Sequence, residues 1–321
     1  MKYVLAPLAG FTDAPFRRLC REGGADLSYT EMVSAAGLSH GSSPTRHLME
    51  TMPGEGDVGL QLFGSKEIEL AHSLRELGDE VTGRFCEVNL NAGCPMTKIT
   101  REGAGAKLVE DPQKVYRLLK AMAENTSLPV TLKTRLGPRP GCANIFELVD
   151  AARSAGAKGV IVHARYTSQM HGGQVALETL AEVVSRTSLP VTGNGSVVDM
   201  KSASEMEKTG VKAIMVGRAA LSNPFVFSLF RFRNAAIPDK IEMCERHLKY
   251  IVEFRERLAA AFPGDRIPSL DGYTSVKMHT HLFRYFGGRP GAASLRARLN
   301  TVRTYSEIRE IVDSCKSQTA G

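Results

Sequence analysis

The chain has no tryptophan. Nor does it contain an apolar run approaching 18 residues, so no membrane span is expected. No Cys-x-x-Cys pair and no Cys/His tract at ligand spacing occurs, so no structural metal is expected. The 6 cysteines (Cys20, Cys86, Cys94, Cys142, Cys244, Cys315) are irregularly spaced, which fits free thiols in a reducing compartment better than a disulfide framework. Residues 3–11 have the length of a signal-peptide core. However, Pro7 and Asp13 interrupt that stretch and only Lys2 precedes it, so a cytoplasmic protein is expected. The first strand-to-helix turn, Ala6-Pro7-Leu8-Ala9-Gly10, lacks the Gly-x-Gly-x-x-Gly pattern of an open dinucleotide-binding sheet.

What remains is an ordinary globular composition, 43% hydrophobic and 23% charged. The 321 residues suit a barrel of about 250 residues with an appendage. Eight short apolar runs, at 3–7, 27–32, 58–63, 85–90, 130–134, 159–163, 191–193 and 213–216, alternate with helical patterns. Near-continuous apolar strands are what a parallel sheet covered by helices requires. Asp13, Asp111 and Asp199 stand where helix N-caps belong. Eight such units predict a (β/α)8 TIM barrel over 1–237. After Ile237-Pro238 strand patterns stop, and helical patterns at 242–261, 276–286, 292–299 and 305–315 predict a small all-helical C-terminal domain over 238–321.

The net charge of +7 is uneven. Residues 266–303 hold Arg266, Lys277, Arg284, Arg289, Arg296, Arg298 and Arg303 against Asp271 alone. Tyr273, Phe283, Tyr285 and Phe286 lie among them. Phosphate attraction with ring stacking would suit RNA, while a solvated helical face is the simpler reading of the same pattern.

In this architecture chemistry belongs at the C-terminal strand ends. Those ends carry Gln61, Asn91 with Gly93-Cys94-Pro95, Lys133 with Arg135, His163 with Arg165, Gly193-Asn194-Gly195 and Gly217-Arg218. Glycine amides and helix N-termini after the last two strands favour an anion, and Arg218 adds a fork of donors. A Lys133 at the mouth needs an anionic partner, such as a reduced flavin. Gln61 offers a donor and an acceptor, as a flavin pyrimidine edge requires. Cys94 sits in a Gly-rich loop rather than on an apolar face, a place for a general acid or a nucleophile, and no His-Asp companion stands at an obvious spacing.

The segments Ala6-Pro7-Leu8-Ala9-Gly10-Phe11-Thr12-Asp13, Thr30-Glu31-Met32, Gln61-Leu62-Phe63-Gly64, Asn89-Leu90-Asn91-Ala92-Gly93-Cys94-Pro95, Lys133-Thr134-Arg135-Leu136-Gly137, Gly193-Asn194-Gly195 and Val216-Gly217-Arg218 together resemble the FMN-dependent tRNA-dihydrouridine synthases. The resemblance implies reduction of a uridine C5–C6 double bond in tRNA, with NADPH or NADH as electron donor. The uridine would leave its stack to enter the pocket. Hydride would pass from reduced flavin to C6, and Cys94 would protonate C5. By position, Pro7, Leu8 and Ala9 would meet the flavin ring through backbone groups, and Gln61 and Lys133 its polar edge. Asn194, Gly195, Ser196, Gly217 and Arg218 would take its phosphate. Asn91 would touch flavin and uracil, with His163 beside the cofactor. Arg135, Arg165, Lys277, Arg284 and Arg289 would meet the substrate. A monomer is expected. Ser196, Ala164, Tyr166 and His171 depart from the family pattern and bear on which uridine is chosen. The alternative is a flavin-dependent reductase of a small enone or free pyrimidine on the same barrel, against which the helical appendage argues.

Overall fold

The computed structural model describes residues 1–232, 234–286 and 292–317. Its strands are β1 (Lys2–Leu5), β2 (Leu27–Tyr29), β3 (Val33–Ser34), β4 (Asp57–Phe63), β5 (Glu87–Ala92), β6 (Val130–Arg135), β7 (Gly159–His163), β8 (Val191–Asn194) and β9 (Ala213–Val216). All pairings in the sheet are parallel. β4 to β9 pair in succession, β9 joins β1, and β1–β2 and β2–β4 pairing closes a ring of eight strands, with β3 as a short extension beside β4. The β/α alternation read in the sequence is thus a closed TIM barrel. Strand phase explains why the runs were apolar: Val88, Leu90, Val160, Val162 and Ile214 are all buried against the surrounding helices.

The fourth strand lies two residues later than the apolar run predicts. Phe85 ends the helix Glu67–Arg84 by donating its amide to Val81 O, and pairing with β4 begins only at Glu87. This shift places Asn91 and Ala92 inside the strand. Two short helices, Arg218–Ser222 and Val226–Arg231, follow β9 and gave no clear signal in the sequence.

Beyond β9 no strand occurs among the described residues. Helices Lys240–Ala261, Leu270–Phe286, Ala292–Thr301 and Tyr305–Ser317 follow. Asp239 caps the first by accepting from the Ile241 and Glu242 amides. The second begins six residues before position 276, since the Ser269 hydroxyl accepts from the Gly272 amide and sets its first turn. Leu248, Ile251, Met278, Leu282, Ile308 and Val312 form a core that also takes in Leu19, Met52 and Phe225 from the barrel side. Among the described residues no helix is long and apolar enough to cross a membrane.

Two histidines are trapped where this core meets Phe16. The His247 and His281 rings lie 4.5 Å apart, and His281 lies 4.8 Å from Phe16. His247 Nδ1 meets the Tyr285 hydroxyl at 3.0 Å, but His247 Nε2 and His281 Nδ1 are buried without a partner. Burial lowers both pKa values, that of His281 to about 4, against the partly offsetting pull of Asp13. The unfolded chain binds protons that the folded one refuses, so stability falls as pH drops from about 6.5 towards about 4. Each group lowers the folding equilibrium by up to about tenfold per pH unit in that window. Urea midpoints across it should drop less steeply for His281→Phe than for the parent chain.

Candidate active site at the barrel mouth

Cys94 follows β5 on a turn held at three points. Asn91 Oδ1 accepts from the Gly93 and Cys94 amides at 3.1 and 3.0 Å. Arg135 Nε donates to Gly93 O at 2.7 Å, and the Ala106 amide donates to Cys94 O at 2.8 Å. The last contact depends on Gly105, which has φ +58 and where a Cβ would lie 2.6 Å from Cys94 O. The thiol side chain itself remains partly exposed.

Lys133 and Arg135 stand beside this turn, Arg165 and Arg218 follow on later strand ends, and no ion pair engages any of the four among the described residues. Among the described residues Lys133 Nζ has one hydrogen-bond partner, Asn194 Oδ1 at 3.5 Å. Burial pushes its pKa down to about 8, the nearby Arg135 adds to this, and Cys94 acts in the opposite direction. Arg135 is pushed down to about 10, again chiefly by burial, with Cys94 opposing. His163 is driven far below its ordinary value, first by burial and then by Lys133, Arg135 and Arg165, so the ring is neutral. Arg165 Nη1 can only donate, so His163 Nε2, 3.3 Å away, accepts and the proton rests on Nδ1. Four cations and a neutral histidine with no acid among them form a site for an anion. A flavin phosphate together with a reducible ring system fits that requirement.

Near the last two strands, Arg165 donates to Gly173 O at 2.7 Å and to Ser196 Oγ at 2.5 Å. Arg218 donates to His171 O at 3.1 Å and is otherwise exposed. Asn194 Nδ2 is tied to Met215 O at 2.9 Å. Gly195 has φ +129, and a Cβ there would press on Val175 at 2.8 Å. At Gly217, by contrast, a Cβ would make only ordinary contact, with Ala6 at 3.7 Å and Leu8 at 3.9 Å.

The opening loop is braced more heavily than its sequence indicates. The Leu8 amide donates to Thr12 Oγ1 at 2.9 Å, and Leu8 O accepts from Phe11 and Thr12, so the Leu8 backbone is consumed within the turn. This narrows the expected ring contacts to the Pro7 carbonyl and the Ala9 amide. Glu31 Oε2 holds the Gly10 amide at 2.5 Å. Gln61 is fully buried. It accepts from Asn91 Nδ2 and donates to Asn89 Oδ1, each at 2.8 Å, leaving one lone pair and one N–H unused.

The expected RNA contacts separate. Lys277 turns inward, with Nζ 3.2 Å from Asp13 and 4.0 Å from Glu31, and Asp13 is the main cause of its raised pKa. It therefore braces the opening loop rather than offering a free cation. Arg135 and Arg165 likewise spend donors on the loops that shape the mouth. Arg266, Arg284, Arg298 and Arg303 are exposed and form no ion pair among the described residues. On helix Lys240–Ala261, in contrast, Arg246, Lys249 and Arg257 are all matched by carboxylates. Arg289 lies outside the described residues. The aromatic part of the RNA reading fails: Tyr273, Tyr285 and Phe286 are buried in the helical core, and Phe283 packs against it.

Sequence reading missed Glu31, Thr12, Gly105 and Ala106 as supports of the site. Thr30-Glu31-Met32 was visible as a motif, but nothing in the spacing of Gly105 pointed to Cys94.

Comparison with known proteins agrees with this geometry. The family model described as dihydrouridine synthase matches residues 4–320. A Synechocystis protein named probable tRNA-dihydrouridine synthase 1 is 29% identical over 98% of this chain and 86% of its own length. The tRNA-dihydrouridine synthase B of Escherichia coli K12 is 33% identical over 70% of each chain. A Treponema pallidum protein named probable tRNA-dihydrouridine synthase is 34% identical over 69% of this chain and 68% of its own.

Proposed function

Because the chain belongs to the dihydrouridine synthase family, we propose that it is a flavin-dependent tRNA-dihydrouridine synthase, which reduces the C5–C6 double bond of a tRNA uridine. The observation that carries this reading is the Cys94 turn, clamped beside an acid-free cluster of cations at the mouth of a closed barrel. When bound, FMN would supply the reducing equivalents. Asn194, Gly195, Ser196, Gly217 and Arg218 would hold its phosphate. The Pro7 carbonyl, the Ala9 amide and the unused valences of Gln61 would meet the ring, and Lys133 would offset the negative charge it gains on reduction. Asn91 would touch both flavin and uracil.

Cys94 Sγ gives its proton to C5. Water then restores the proton to the thiol. We propose with it NADPH as the electron donor, a cytoplasmic location in keeping with a tRNA substrate, and a monomer.

Lys133 makes flavin binding depend on pH. An anion beside it raises its pKa above the value of about 8 that it has alone, so binding takes up a proton above that pH. Flavin affinity should weaken as pH rises from about 8 to about 10, by fluorescence titration, and Lys133→Met should remove this dependence.

The unpaired arginines give a separate prediction. Arg284→Glu combined with Arg303→Glu should raise KM for tRNA by on the order of tenfold and flatten its salt dependence, without changing flavin content. The function itself is tested by incubating the purified protein with NADPH and unmodified tRNA. A gain of two hydrogens at a defined uridine supports it, and unaltered tRNA with a fully reducible flavin contradicts it.

A further inference from the structure

A seam of polar side chains runs through the barrel interior from its closed end to Cys94. Glu87, Asn89 and Asn91 alternate along β5 and so share one face. The strand register sets Gln61 beside Asn89, and Asn89 beside Thr131. Asn91 Nδ2 donates to Gln61 Oε1, Gln61 Nε2 to Asn89 Oδ1, and Asn89 Nδ2 to Thr131 Oγ1, at 2.8, 2.8 and 2.9 Å. The Thr131 hydroxyl then donates to Glu87 Oε1 at 2.6 Å, which also accepts from the Tyr29 hydroxyl at 2.6 Å.

Both ends of this seam have fixed polarity. At the mouth, the Gly93 and Cys94 backbone amides can only donate, so Asn91 must present its oxygen. At the closed end Glu87 Oε1 accepts from both the Thr131 and the Tyr29 hydroxyls, and these bonds partly offset the rise that burial imposes on its pKa, so Thr131 spends its proton there. Between them every amide has one permitted orientation, since turning one would bring two NH2 groups or two oxygens together in a buried site.

We infer that Glu87, Thr131 and Asn89 are positioning residues, which lock the Gln61 amide with its oxygen towards Asn91 Nδ2 and so anchor the Asn91 side chain that holds the Cys94 turn. Without the terminal acceptor, the Asn89 and Gln61 amides are free to turn, Asn91 loses its anchor on the barrel side, and the turn that holds the thiol loosens. The inference rests on the reading of Cys94 as proton donor only for its effect on turnover. Its effect on the turn is independent of that reading.

The test uses the flavin-loaded full chain. Thr131→Val keeps the shape and removes the hydroxyl, whereas Thr131→Ser keeps the hydroxyl. Peptide-mapped alkylation by iodoacetamide reads the Cys94 turn, and kcat and KM on tRNA read the chemistry. Thr131→Val should change the Cys94 alkylation rate at least threefold and lower kcat at least tenfold, with KM for tRNA within twofold. Thr131→Ser should stay within twofold of the parent in all three. Parent-like behaviour of Thr131→Val, or equal losses in both variants, overturns the inference. Should Thr131→Val not fold, Glu87→Gln replaces the fixed acceptor by an amide that can turn either way. It should shift Cys94 alkylation at least twofold, and no shift overturns the inference. If alkylation shifts as stated while the parent protein makes no dihydrouridine, the enzymatic reading fails and the positional one stands.

Discussion

Cys94→Ala is expected to retain its flavin and its affinity for tRNA yet lose dihydrouridine formation by about 10²–10⁴-fold, the range for removing a positioned general acid. The size of the effect follows from the surroundings of the thiol. Beside the turn, Arg135 is committed to Gly93 O and Lys133 lies against Asn194 Oδ1, so neither stands in the place of the thiol. His163 is neutral and held by Arg165, so it cannot replace the thiol. Flavin retention separates loss of the proton donor from loss of the cofactor. Single-turnover oxidation of the reduced protein by tRNA checks both in one trace. A variant that oxidises at the parent rate and yields dihydrouridine would remove Cys94 from the mechanism.

Arg17→Leu should produce the largest change in stability. Arg17 is 1% exposed, and its guanidinium meets Glu55 at 2.5 Å, Thr12 O at 2.8 Å and Glu50 O at 3.0 Å. The opening loop and the connection over residues 48–56 are thereby tied to one side chain. Burial already raises the Glu55 pKa against the pull of Arg17, so removing the cation leaves an uncompensated buried carboxyl. Breaking such a pair costs about 3–5 kcal/mol. In a protein of this size that lowers Tm by on the order of 10 °C. Arg17→Leu with Glu55→Gln should recover part of the loss, because the stranded charge is gone. Denaturant unfolding of both variants measures this, and a loss below about 1 kcal/mol for Arg17→Leu would contradict it.

How much of this was legible in the sequence depends on whether a feature is local. Buried parallel strands are apolar along their length, so eight runs sufficed to place the ring. The strand-end motifs were visible because glycine, asparagine and charge rarely follow an apolar run without reason. Contacts that need strand phase were hidden. The seam of Glu87, Asn89 and Thr131 depends on β5 beginning at Glu87, and an apolar run read from Phe85 gives no reason to look for it. Long-range pairings were hidden as well. Lys277 reads as one more cation of a basic stripe, and only the fold reveals that Asp13 and Glu31 neutralise it. The aromatics among those arginines looked like stacking platforms, yet helical phase turns Tyr273, Tyr285 and Phe286 into the core.

The central claim is that this barrel reduces uridine in tRNA through Cys94. Dihydrouridine mapped by mass spectrometry in tRNA from cells lacking the gene, and from the same cells carrying the parent chain or Cys94→Ala, tests it most directly. The account predicts that dihydrouridine disappears from at least one position, returns with the parent chain and does not return with Cys94→Ala. An unchanged dihydrouridine map without the gene, or full restoration by Cys94→Ala, would contradict it.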